Sequence, residues 1–113
     1  MNKLIKNVEK GSLFILSDLV EYSPGKVASL TMAQKPGVNL SVLALDKGEG
    51  LATHSAPGDA LACILEGEAH ITIGDEMVVV RGGQSVVMPA GVPHSLKAAT
   101  AFKMFLVLVK KTE

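Results

Sequence analysis

The sequence predicts an all-β domain, an antiparallel sandwich or barrel, and three observations carry that prediction. Apolar and polar residues alternate strictly over several short runs, the period of a half-buried strand. Glycine and proline interrupt those runs at Pro24-Gly25, Pro36-Gly37, Gly48, Gly50, Pro57-Gly58, Gly67, Gly74, Gly82-Gly83 and from Pro89 to Pro93. That is the spacing of turns between short antiparallel strands. Helical periodicity is nearly absent, and 113 residues leave room for one domain only.

Taken in order, Ser17-Asp18 is the one helix-start signal and predicts a short capped turn running to Tyr22. A strand follows over residues 27–32. Val38, Leu40, Val42 and Ala44 alternate with Asn39 and Ser41, while Leu43 and Leu45 make the far end of that strand apolar on both faces. Residues 60–65 are apolar at every position. Ala69, Ile71 and Ile73 alternate with His70 and Thr72, which places His70 on the solvated side. Gly74-Asp75 then suits a two-residue hairpin turn, from which residues 77–81 run back. Ser85–Met88, His94–Ala98 and Phe102–Val109 complete the strands. Residues 1–25 read as an N-terminal extension (strand, flap or dimer arm) and residues 26–113 as the barrel domain.

Composition bounds the function. Hydrophobic residues make up 48% and charged residues 19% of the chain, which excludes disorder. Lys and Arg number 11, Asp and Glu also 11, and the formal net charge is zero. No basic field exists to draw in nucleic acid or anionic lipid, so neither is an expected partner. The longest stretch free of charge, residues 82–96, is broken by five Gly and Pro residues and cannot form a spanning helix. Near the N-terminus Glu9 and Lys10 stand where an apolar signal core would lie, and Asp18 interrupts the apolar run that follows. A cytoplasmic protein is expected. The single cysteine, Cys63, allows no intrachain disulfide and reads as a small core residue. Residues 60–65 and 104–109 are apolar on both strand faces, so the outer face needs its own cover; a homodimer is expected to supply it.

Three histidines are present, and two sit beside turns in recognisable strings. The first string is Gly48, His54, Ala56, Ala60 and Gly67. The second is Gly83, Pro89, Gly91 and His94. Together they resemble the cupin superfamily. Its first motif reads Gly, five residues, His-x-His, three or four residues, Glu, six residues, Gly. Its second reads Gly, five residues, Pro-x-Gly, two residues, His. Gly83, Pro89, Gly91 and His94 fill every stated position of the second motif, and Gly48, His54 and Gly67 fill theirs in the first. The resemblance implies a small jelly-roll barrel in which motif side chains converge on a divalent metal. Two departures matter: Ala56 stands for the second histidine and Ala60 for the glutamate.

By that resemblance His54 and His94 face one pocket and are the candidate metal ligands, for Zn, Ni, Mn or Fe. Two imidazoles fall short of the usual three protein ligands of a catalytic zinc site and of the two-histidine, one-carboxylate set of non-haem iron. Asp59 is the nearest carboxylate but is expected to point outward, and Gln84 and Glu49 lie at strand ends. The expected pocket is apolar and adaptable, formed by Met32, His54, Ala56, Ala60, Met88, His94, Phe102 and Met104. Arg81 is the sole arginine, so no anion clamp is indicated. Lys97 and Lys103 are expected to reach solvent. Three functions fit: a barrel binding a small molecule with or without a weakly held metal, a metal-dependent oxygenase or isomerase, and a non-catalytic dimer scaffold.

Overall fold

The computed structural model describes residues 4–112. Its described strands are β1 (Val27–Gln34), β2 (Val38–Leu45), β3 (Gly50–His54), β4 (Asp59–Glu66), β5 (Glu68–Ile73), β6 (Glu76–Arg81), β7 (Ser85–Met88), β8 (His94–Ala98) and β9 (Phe102–Val109). They form two antiparallel sheets, one ordered β1-β2-β9-β4-β7 and the other β3-β8-β5-β6. Strands adjacent in sequence fall in different sheets at several points, the crossing pattern of a jelly-roll barrel. β3 is a strand that periodicity alone did not single out, because only Leu51 within it is a large apolar residue.

Side-chain parity sorts the two faces of the five-stranded sheet. The β2–β9 ladder runs without a break, pairing Asn39 with Leu108, Ser41 with Leu106, Leu43 with Met104 and Leu45 with Phe102. Leu43, Leu45, Phe102 and Met104 lie in the core between the sheets, joined by Ile64 from β4 and by Ala69, Ile71 and Leu96 from the opposite sheet. Phe102, Leu45 and Ile71 are wholly buried there. Each buried aliphatic or aromatic side chain of this kind contributes roughly 1.5–3 kcal/mol.

The intervening residues form a second cluster on the outer face. Met32, Val42 and Ala44 pack there against Val20, with Val8, Leu16, Leu19 and Tyr22 around them. The N-terminal segment of the same chain therefore covers part of the outer apolar surface that the sequence assigned to a second subunit, at Leu65 and Phe105. Residues 1–3 of the expected extension lie outside the described residues. Its 3-10 turn spans Leu16–Leu19 after Ile15 and has no side-chain cap, so Ser17 and Asp18 sit inside the turn rather than before it. The turn is held from below instead. Lys103 is buried on the outer face, its Nζ donates to the Ser17 carbonyl at 2.7 Å, and it lies 5.0 Å from the centre of the Tyr22 ring. This corrects the expectation that Lys103 reaches solvent; Lys97 is exposed as expected. Burial, and the hydrogen bond it donates to Glu66, raise the Tyr22 phenol above its ordinary value.

Cys63 also departs from expectation. It is half-buried on the outer face, opposite Phe105 and Ser85, and not in the core. Beyond the N-terminal segment one apolar row continues across that face: Leu40 pairs with Val107, Val107 with Leu61, and Leu61 with Val87. Val87 and Val109 are more than half exposed. Among the described residues no helix is long and apolar enough to cross a membrane.

Candidate functional site

His54 ends β3, His94 begins β8, and the two are cross-strand partners. Their meeting depends on an irregularity in β3. Leu51 pairs with Leu96, so a regular antiparallel ladder would set residue 53 opposite residue 94. The register instead shifts between Leu51 and His54. One extra residue in a strand reverses the face presented beyond it. His54 consequently joins Leu51 on the inner side, where strict alternation would have turned it outward.

The two motif loops are tied together beside this pair. The Gly91 N–H donates to the Ala56 carbonyl at 2.9 Å, and the Ala90 N–H donates to Asp59 Oδ1 at 2.8 Å. Gly91 has φ +76°, a conformation that the Pro89-Ala90-Gly91 turn needs and that side-chain-bearing residues rarely adopt. Asp59 thus clamps the second loop from outside the barrel. Its carboxylate does not supply a third inward ligand, in line with its position one place before Ala60.

The rings of His54 and His94 meet edge to face, with centroids 4.4 Å apart and planes at 72°. Their Nε2 atoms are 3.2 Å apart. His54 Nδ1 lies 2.9 Å from the Ala52 carbonyl oxygen, and His94 Nδ1 lies 3.2 Å from that of Val92. A carbonyl oxygen only accepts, so a ring proton on Nδ1 satisfies each of these contacts and turns the Nε2 lone pair toward the other ring. A proton on either Nε2 makes their contact a hydrogen bond; with both protons on Nδ1, two lone pairs face each other across 3.2 Å. That arrangement is unfavourable unless a cation, a proton or a metal ion, stands between them. The proton is disfavoured at His94, which is 3% exposed. Burial, and then the charge of His54, hold its imidazolium below the ordinary histidine value.

Behind the pair lies a cavity of about 110 Å³, lined by Leu51, His54, Ala56, Ala60, Met88, His94, Leu96, Met104, Leu106 and Leu108. Six residues singled out from the sequence are in this wall: His54, Ala56, Ala60, Met88, His94 and Met104. Two are elsewhere. Met32 faces the outer cluster, where the β1 register shift between Thr31 and Ala33 leaves it, and Phe102 fills the core at the far end of β9. The sequence reading missed Leu51, Leu96, Leu106 and Leu108. Leu106 and Leu108 share a strand face with Met104 by simple alternation, so that signal was present. Leu51 and Leu96 needed the pairing of β3 with β8.

No carboxylate or thiol completes a metal-binding trio: among the described residues no group of three His, Cys, Asp or Glu side chains is placed to hold an ion. Gln84 Oε1 accepts from the Arg81 N–H at 2.9 Å, on the side of the molecule where β6 meets β7. The third histidine is separate. His70 Nε2 lies 3.1 Å from Glu68 Oε2 on the outer face of the four-stranded sheet, and Arg81 Nε lies 3.1 Å from Glu68 Oε1. The hydrogen bond with His70 is the main cause holding the Glu68 carboxyl below its usual range. Outside the barrel, Asp59, Lys110 and Lys111 border an open groove of about 370 Å³ that contains no histidine.

Comparison with known proteins agrees with this fold. The cupin domain family matches residues 41–109, from β2 to the end of β9. A conserved protein of unknown function from Streptococcus pyogenes is 42% identical, with 97% of this chain and 96% of that chain covered and a TM-score of 0.95. A cupin superfamily protein from Desulfitobacterium hafniense is 28% identical, with 96% and 100% covered and a TM-score of 0.92. Salicylate 1,2-dioxygenase from Pseudoaminobacter salicylatoxidans shares the fold at 24% identity over 77% of this chain and 27% of its own, with a TM-score of 0.69. The comparison with curated proteins gives no match. With the family match, the two-sheet barrel and the motif loops in agreement, this chain belongs to the cupin domain family.

Proposed function

We propose that this protein binds a small molecule in its barrel cavity beside a divalent transition metal held by His54 and His94. The observation that carries the reading is the pair of imidazole Nε2 atoms facing each other at 3.2 Å. Two nitrogens of a tetrahedral ion, each about 2.0–2.1 Å from it, stand roughly 3.3 Å apart. Each Nδ1 also lies within hydrogen-bond distance of a backbone carbonyl, the usual support of a metal-ligating histidine. These residues fit a metal. With two protein ligands the ion would be held weakly and would keep positions open to water or to an oxygen or nitrogen of the bound molecule. An ion there would act as a Lewis acid on that atom. The chain's own contribution is to orient both imidazoles, exclude water behind them with leucine and methionine, and leave room where Ala56 and Ala60 replace bulkier donors.

The same reading includes a homodimer and a cytoplasmic setting. The row Leu40, Val107, Leu61 and Val87 supports the dimer, with Leu13, Phe14 and Ile15 exposed on the N-terminal segment. The lone cysteine suits a reducing compartment.

Elemental analysis of protein purified without an affinity tag, followed by Zn, Ni, Mn and Fe titration, tests the site. The wild type should bind at least one of these ions at micromolar concentration, and His54→Ala should weaken that binding at least tenfold. Binding absent below millimolar concentration, or unchanged in His54→Ala, would remove the metal from the proposal.

A further inference from the structure

The inner face of the five-stranded sheet changes character from one edge to the other. One row across it reads Gln34 on β1, Asn39 on β2, Leu108 on β9, Ala60 on β4 and Met88 on β7, each the cross-strand partner of the next. The row beside it reads Thr31, Ser41, Leu106, Ala62 and Val86 in the same strand order. Leu108, Ala60, Met88 and Leu106 are cavity wall. Asn39 and Ser41 stand one strand farther, about 5 Å from Leu108 and Leu106. The parity is secure, because the β2–β9 ladder is unbroken and Leu43 and Leu45, on the same face of β2, lie in the inner core.

The apolar cavity therefore has a polar flank, and one atom of that flank lacks a partner. Asn39 Oδ1 is buried and makes no hydrogen bond. A buried carbonyl without a donor costs about 1–3 kcal/mol, so such a group calls for a bound molecule or water to satisfy it. No lysine, arginine, aspartate or glutamate is in the cavity wall, so apart from the ion proposed at His54 and His94 nothing balances a charged group, least of all beside Asn39.

Building on the proposed small-molecule site, we infer that Asn39, with Ser41 beside it, is the specificity-determining flank of the cavity. It selects a molecule with an apolar body that presents an uncharged hydroxyl or amide N–H at the Asn39 end. The body lies over Leu108, Ala60 and Met88, and the O–H or N–H donates to Asn39 Oδ1. Size follows from the cavity of about 110 Å³. An apolar cavity of about 150 Å³ takes benzene, so one small ring or its equivalent is the scale of the body.

The test compares two probes with equal numbers of heavy atoms, benzyl alcohol and ethylbenzene, by NMR titration of the wild type and of Asn39→Leu. Leucine keeps the approximate volume and removes the acceptor. Benzyl alcohol should lose about tenfold in affinity in Asn39→Leu, while ethylbenzene binds equally or more tightly. The shifts should fall on Leu106, Leu108 and Met88. Asn39→Ala gives the same comparison should the leucine variant fold poorly. Equal changes for both probes, an unchanged affinity for the alcohol, or no binding of either probe to the wild type at millimolar concentration would overturn the assignment. Nickel titration of Asn39→Leu separates the two proposals. Nickel affinity should stay at the wild-type value because Asn39 does not touch His54 or His94. A wild type that binds none of Zn, Ni, Mn and Fe, yet still shows the difference between probes, would remove the metal and leave the polar flank standing.

Discussion

Two alanines shape this site as much as its two histidines do. Ala56 and Ala60 occupy the positions where the cupin pattern has a second histidine and a glutamate, and both line the cavity. Replacing them should restore donors to a wall that now offers methyl groups. Ala56→His is expected to raise nickel or zinc affinity at least tenfold over wild type, measured by calorimetric titration, because a third imidazole approaches the usual complement of a bound ion. An unchanged affinity would mean that residue 56 does not point at the His54–His94 pair. His94 also makes stability depend on pH. Its folded value lies below the ordinary 6.5 because of burial and the nearby His54. Below about pH 6.5 the unfolded chain takes up a proton that the folded chain refuses, so stability falls as pH drops from there and levels off beneath the folded value. Above that range this residue adds no slope. Urea denaturation at pH 7.5 and 5.5 should show the loss, and His94→Gln should reduce it; an identical loss in the variant would assign it to other groups. Both histidines and both alanines, all four of which line the cavity, were legible from motif spacing as positions of the candidate site. Asn39 was not, because nothing local distinguishes it from any polar residue on the solvated side of an alternating strand.

At the scale of elements, turns and register do the positioning. Gly67 connects β4 to β5 with φ +84°, and a Cβ there would stand 2.2 Å from the Ala101 carbonyl oxygen. Gly67→Ala meets both penalties at once and should cost about 2–4 kcal/mol of stability, read as a lowered denaturation midpoint. A loss under about 1 kcal/mol would mean that the Ala101 segment yields easily. The strands were largely readable: the bounds of Ser85–Met88, His94–Ala98 and Phe102–Val109 agree with alternation and turn residues alone. β3 was not, since Gly50, Ala52 and Thr53 give no apolar period and its role lies in pairing with β8. The cap at Ser17-Asp18 failed for a related reason. Tertiary contact through Lys103 holds that turn, and the cap signal is weaker than such contact.

For the whole molecule, the surplus of apolar residues divides three ways: the core between the sheets, the cavity, and the outer face. The chain's own N-terminal segment covers part of the outer face, and the row through Leu61 and Val107 is the surface that the proposed dimer would cover. Leu61→Asp should convert a wild-type dimer to a monomer in sedimentation velocity at micromolar concentration, with the inner core untouched because Leu61 points outward. A wild type that is already monomeric would end the dimer proposal. The sequence by itself determined the strand-rich barrel and the two motif loops, because alternation, glycine turns and motif spacing are local properties of a chain. Only the tertiary structure decided how β3 brings His54 to the inner side, that two imidazole nitrogens meet at 3.2 Å, and what lies over the outer sheet. Each of those depends on register or on contact between distant segments, and one extra residue in β3 is enough to reverse a face.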